Sequence, residues 1–149
     1  MEYYRFFLVI KKKQLGKIIL KKKRTNKTIA LSDIDFKEEK RIVTSDAELN
    51  RVLGGGIVPG SLVLVAGEPG IGKSTLFLQN GLLMNQLTVL YISGEESEQQ
   101  IKMRADRLKI QNENFYLLTE TSTQSIFQEI KKPLIWTSGF VVTMRCFFL

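Results

Sequence analysis

Gly67-Glu68-Pro69-Gly70-Ile71-Gly72-Lys73-Ser74 decides the reading of this chain, together with Leu62-Val63-Leu64-Val65-Ala66 before it and Lys73 to Met84 after it. The octet has the form G-x-x-x-x-G-K-[ST], whose mechanism needs a strand in front and a helix behind. Leu62 to Ala66 is apolar at successive positions, which predicts a strand buried on both faces in a parallel sheet. Leu76, Phe77 and Leu83 recur at helical spacing, which predicts a helix from Lys73 to Met84.

Glycines at 67, 70 and 72 let successive backbone N–H groups turn inward as a nest for a β-phosphate, and the helix N-terminus adds partial positive charge. Lys73 would reach the β- and γ-phosphate oxygens, the Ser74 hydroxyl would ligate Mg²⁺, and Thr75 would support the next phosphate contact. The predicted binding set is therefore Gly67, Glu68, Pro69, Gly70, Ile71, Gly72, Lys73, Ser74 and Thr75. The implied ligand is a nucleoside triphosphate with Mg²⁺; the motif alone does not choose between ATP and GTP.

Downstream, Thr88 to Ser93 reads as the next strand and Gly94-Glu95-Glu96 as its exit loop. The carboxyl ends of strands are where open α/β sheets place ligands, so Glu95 and Glu96 are candidates to polarise an attacking water. Solvated loop acids are the plain alternative. Ser97-Glu98-Gln99-Gln100 is a capping box opening a helix to about Leu108, and Phe115 to Leu118 is a third strand. Thr121-Ser122-Thr123-Gln124 is a further capping box, opening a helix that Pro133 closes. This alternation specifies an α/β fold with a parallel sheet and right-handed crossovers.

Upstream, Ser45-Asp46-Ala47-Glu48 reads as a capping box for a short helix through Leu53, which Gly54-Gly55-Gly56 ends, and Pro59-Gly60 is a turn. Residues 30–44 form a connector that turns acidic at Asp33, Asp35, Glu38 and Glu39. Residues 1–29 hold ten Lys/Arg against one acid, a net +9, whereas the other 120 residues hold twelve against fourteen, a net −2. The basicity thus belongs to a poorly ordered N-terminal arm, read either as a phosphate-attracting tail for nucleic acid or as a solvated charge run.

The chain of 149 residues suits one domain, and its 44% apolar and 25% charged composition is that of a globular protein. With no His and the single Cys146, it builds neither an internal disulfide nor a Cys/His zinc site, which fits a reducing, cytoplasmic setting. Phe6 to Ile10 is too short an apolar stretch for a secretory signal, and no run approaches the roughly 20 residues of a membrane span.

Glu48 to Ser61, then the phosphate loop, then Leu90-Tyr91-Ile92-Ser93-Gly94-Glu95-Glu96-Ser97 closely resemble the RadA (Sms) family of RecA-like bacterial DNA repair ATPases. The resemblance spans roughly Asp33 to Lys132 and continues through Gln100 to Ala105 and Leu117 to Thr121. It implies that Gly67 to Thr75 bind ATP and Mg²⁺ and that Lys73 and Glu95 are the catalytic pair, with Glu96 as substitute. It further implies ATP-driven processing of branched DNA in recombinational repair, and ring-shaped homo-oligomers.

Three departures qualify it. The family's four-cysteine zinc ribbon is missing, the Mg²⁺-supporting acid of the strand after Pro133 has no counterpart among Leu134 to Leu149, and the family's later core and C-terminal domain are not represented. The expected organisation is a basic arm at 1–29, a connector at 30–44, the first part of a RecA-like ATPase domain at 45–133 and a divergent apolar tail at 134–149. Trp136-Thr137-Ser138-Gly139-Phe140 begins that tail abruptly, as a frameshift or degraded gene would, and its apolar segments predict poor solubility. Two other readings stand beside a repair ATPase with feeble turnover: a non-catalytic nucleotide-binding remnant, and a relative among KaiC-like or helicase-like ATPases.

Overall fold

The computed structural model describes residues 3–11, 28–35, 40–130 and 140–147. In chain order the elements are β1 (Tyr3–Lys11), a 3-10 turn (Leu31–Asp33), α1 (Ala47–Val52), β2 (Leu62–Gly67), α2 (Lys73–Leu83), β3 (Thr88–Ser93), α3 (Glu98–Leu108), β4 (Phe115–Thr119), α4 (Thr123–Ile130) and β5 (Phe140–Phe147). They build one five-stranded sheet in the order β2-β1-β5-β3-β4. β3 pairs in parallel with both β4 and β5, whereas β1 runs antiparallel to β2 and β5. β2 therefore points the same way as β3, β4 and β5.

Ile57, Phe77, Leu78, Leu82, Met84, Val89, Tyr91 and Ile101 form the core, with Val63 and Val65 of β2 packed against it. Leu78 is fully buried; removing such a side chain from water is worth about 2–3 kcal/mol. β3 is buried at every position, the double coverage expected of a central parallel strand.

β2 departs from the expectation of burial on both faces. Leu62 and Leu64 are 59% and 50% exposed while Val63 and Val65 turn inward. The cause is coverage of one face only: Val63 and Val65 pack against the core, and the opposite face of β2, which carries Leu62 and Leu64, is open among the described residues. Leu83 likewise lies on the outer side of α2, 39% exposed, and Leu78 and Leu82 take the core positions beside Phe77.

The N-terminal arm differs too. Tyr3–Lys11 is a strand, because Tyr3-Tyr4-Arg5-Phe6-Phe7-Leu8-Val9-Ile10 is rich in aromatic and branched residues that suit a pleated surface. The lysine-rich residues 12–27 lie outside the described residues, as does Pro133. In the tail, Phe140–Phe147 is also a strand.

Caps refine the helix starts. α1 is capped by Asp46, whose carboxylate accepts from Leu49 N–H at 2.9 Å, one residue later than the Ser45 box predicts. Glu48 turns instead to Arg51, which holds its carboxyl below the usual range, and Ser45 donates to Asn80. The Ser97 box forms in full, with Ser97 and Gln100 each accepting from the other's N–H. At α4 the box shifts by one: Ser122, not Thr121, accepts from the N–H three residues on, at 3.5 Å.

Gly54, Gly55 and Gly56 all take positive φ after α1. Gly56 also lies against the backbone bridge between Ile42 and Ile57, where a Cβ would stand 2.6 Å from the Ile42 carbonyl oxygen. Pro59-Gly60 forms a turn closed by Ser61 N–H to Val58 C=O at 3.0 Å, with Gly60 at φ 88°, as a type II turn requires.

Candidate active site

The phosphate loop leaves the end of β2 and enters α2 directly. Gly72 caps α2 in the left-handed region at φ 95°, and Gly70 has φ 81°. A Cβ at either position would meet nothing within 4 Å, so these glycines line open space and are required by backbone angle. The first intrahelical bond of α2 is Leu76 N–H to Gly72 C=O at 2.9 Å, which leaves the amides of Lys73, Ser74 and Thr75 ahead of the ladder. That is the donor set an anion needs at a helix start.

Lys73 is buried, 8% exposed. Its ammonium donates to the carbonyl of Gly67 and to that of Glu68, the latter at 2.6 Å. The cation is thus held inside the loop's concavity by the loop's own backbone. Ser74 and Thr75 are half-buried just behind it, while Glu68, Pro69 and Ile71 form the exposed rim. The residues fit a triphosphate with Mg²⁺: backbone donors and Lys73 for the phosphates, the Ser74 hydroxyl for the cation.

The second half of the site sits at the end of β3. Successive register pairs align Tyr91 with Met144, Met144 with Phe7 and Phe7 with Val63. Two residues further, Ser93, the last residue of β3, is level with Val65, and Glu95 follows in the bend beyond it. β2 and β3 point the same way, so the loop and Glu95 follow strand ends on the same side of the sheet, the two strands being three spacings or about 14 Å apart.

That exit is pinned. The Ser93 hydroxyl, 5% exposed, accepts from the N–H groups of Glu95 at 3.4 Å and Glu96 at 3.1 Å. Glu120 N–H donates to Ser93 C=O at 3.1 Å, tying the exit of β4 to that of β3. The two glutamates then part company. Glu96 is half-buried and meets Arg104 of α3 through Nη1 to Oε1 at 3.2 Å and Nη2 to Oε2 at 2.7 Å. Glu95 is exposed. Sequence reasoning missed Ser93 and Arg104 as positioning residues; the eight-residue separation of Glu96 from Arg104, spanning a loop and a helix start, carries no local signal.

Residues 43–132, well over half of the chain, match the family model "ATPase: KaiC". The chain belongs to the KaiC family of ATPases. It is also similar to the DNA repair protein RadA of Streptococcus pneumoniae, at 52% identity over 107 residues covering 71% of this chain and 26% of that protein. RadA of Listeria monocytogenes is 50% identical over 107 residues, 70% of this chain and 23% of that protein. RadA of Campylobacter jejuni is 45% identical over 122 residues, 80% and 27% respectively.

The chain therefore spans about a quarter of the length of the curated relatives it matches. The matched stretch contains the whole phosphate loop, Glu95, Glu96 and Arg104. The RecA-like α/β reading and the RadA resemblance both hold. Among the described residues, no helix is long and apolar enough to cross a membrane and no group of three or more His, Cys, Asp or Glu side chains could hold a metal ion.

Proposed function

We propose that this chain is the nucleotide-binding part of a RadA-type DNA repair ATPase, with residues 45–133 as its ATPase portion. The observation that supports this is that the Lys73 loop follows β2 and Glu95 follows β3, at the same end of two strands that point the same way. In this reading ATP lies along Gly67 to Thr75, with the loop amides and Lys73 on its phosphates and Ser74 ligating Mg²⁺. Mg²⁺, when bound, neutralises charge developing on the transferred phosphoryl group.

Glu95 then orients the attacking water. The exposure of Glu95 at the exit of β3, beside a Glu96 that is half-buried against Arg104, supports giving that role to Glu95. Lys73 and Glu95 are the catalytic residues of this proposal, and branched or single-stranded DNA, a homo-oligomeric assembly and a cytoplasmic location follow from the RadA likeness.

A second reading, nucleotide binding without useful turnover, is favoured by one feature. The strand beside β3 on the loop side is β5, Phe140-Val141-Val142-Thr143-Met144-Arg145-Cys146-Phe147, which holds a cation and no acid that could support Mg²⁺. Binding of a fluorescent ATP analogue and phosphate release, measured separately on wild type, Lys73→Ala and Glu95→Gln, separate the two. Turnover stimulated by DNA and lost in both variants establishes the ATPase; binding lost only in Lys73→Ala, with no turnover in any protein, establishes the binding module. For DNA, replacing Lys21-Lys22-Lys23-Arg24 with Gln should flatten the salt dependence of single-strand binding by about 0.7 for each phosphate that is no longer neutralised. An unchanged slope removes the arm from the DNA site.

A further inference from the structure

The family-matched stretch ends at residues 43 and 132, yet it does not close a sheet by itself. It supplies β2 on one side and the β3–β4 pair on the other, and the two strands joining them, β1 and β5, both come from outside it. Among the described residues β2 pairs only with β1. The contact is at the site: Tyr3 is the register partner of Gly67 and Tyr4 of Ala66. Gly67 in turn offers its carbonyl to the Lys73 ammonium. β5 completes the link, pairing with β1 over Tyr4–Lys11 and with β3 over Thr88–Tyr91.

We propose that Tyr3–Lys11 and Phe140–Phe147 form an internal clamp that holds the phosphate-loop strand in register with β3, so that order at Leu62–Gly67 depends on pairing between the chain's two outlying segments. A strand of mostly local contacts would order by itself. β2 instead has its sheet partner about 60 residues away in the chain, and its order must follow the order of β1. Only the link to nucleotide binding rests on the function proposed above; the clamp itself is a statement about strand pairing.

Cys146 supplies the test, because its register partner is Arg5. Antiparallel partners stand about 4.5–5.5 Å apart at Cα, inside the window of about 4.4–6.8 Å for a cystine. Full-length Arg5→Cys should oxidise to an intrachain disulfide, its free thiols falling from two to none, whereas Leu8→Cys, whose partner is Thr143, should keep both. Hydrogen exchange then reads the coupling: Leu62–Gly67 amides should exchange at least tenfold more slowly in oxidised than in reduced Arg5→Cys.

Two free thiols in Arg5→Cys, a disulfide formed only between chains, or equal exchange in the two redox states each overturn the proposal. Lys73→Ala in the Arg5→Cys background should leave crosslinking unchanged. Loss of nucleotide binding in every protein tested, with the disulfide and its protection intact, would sink the ATP reading and leave the clamp standing.

Discussion

Arg104 grips Glu96 through both guanidinium nitrogens, 2.7 Å and 3.2 Å from the two carboxylate oxygens, and so joins the exit of β3 to the face of α3. The side chains are 28% and 18% exposed, so the pair is more shielded than the surface pairs Arg51–Glu48 and Lys102–Asp106. Exposed pairs contribute little, whereas removing one member of a shielded pair leaves the other charge poorly solvated. Glu96→Gln should therefore cost about 1–2 kcal/mol after allowance for residual solvent. Thermal melts of Glu95→Gln and Glu96→Gln check this: Glu96→Gln should melt several degrees lower, while Glu95→Gln should change turnover more than stability. The reverse ranking would exchange the roles of the two glutamates.

Lys73 has two carbonyl partners that it must exchange for phosphate oxygens when a nucleotide binds. Gly67 and Glu68 are exposed, so water replaces those bonds when the ammonium is removed. Lys73→Ala should thus leave the melting temperature within a few degrees of wild type and lower ATP affinity at least tenfold, the equivalent of about 1.4 kcal/mol. Isothermal titration beside a melt reads both. A variant that unfolds instead would make Lys73 primarily a structural residue of the loop.

Glycines with positive φ divide into two kinds, and substitution by alanine tells them apart. At Gly56 a Cβ meets the Ile42 carbonyl at 2.6 Å, a backbone atom that cannot yield without breaking the Ile42–Ile57 bridge beneath the core. At Gly70 the Cβ meets nothing, and the strain is only that of φ 81°. Gly70→Ala should cost about 1–2 kcal/mol, the left-handed penalty alone. Gly56→Ala should cost more, with the excess lost as exchange protection at the Ile42 and Ile57 amides. Equal melting temperatures would contradict the close contact.

Much of this site was legible because its determinants are local. The octet at Gly67 to Ser74 sets its own backbone angles, Ser97 to Gln100 caps α3 within four residues, and Gly54 to Gly56 end α1 by conformation. What stayed hidden depends on partners distant in the chain. Whether Leu62 and Leu64 are covered depends on whether a second layer packs on their face of the sheet, and an apolar run reads alike with one face covered or both. The strand character of Tyr3–Lys11 was masked by the lysine clusters that follow it, whose charge dominates the arm's composition. Ile57, almost fully buried, sits in a Gly- and Pro-rich turn that no periodicity marks as core.

The exposed face of β2 carries the last prediction. Leu62 and Leu64 alternate outward on a strand whose outer edge has no partner among the described residues, with Ile71 also 70% exposed nearby in sequence. An edge strand with an apolar outer face is a template for intermolecular pairing, and natural edges blunt it with charge, Lys above all. Lys at both positions should therefore suppress association while sparing the core, because the inward Val63 and Val65 are untouched. Light scattering of Leu62→Lys/Leu64→Lys against wild type at equal concentration should show less aggregate, with the melting temperature and ATP affinity preserved. If the double variant instead loses ATP affinity, the outer face of β2 is covered when the nucleotide site is competent, and the poor solubility predicted from sequence arises elsewhere in the chain.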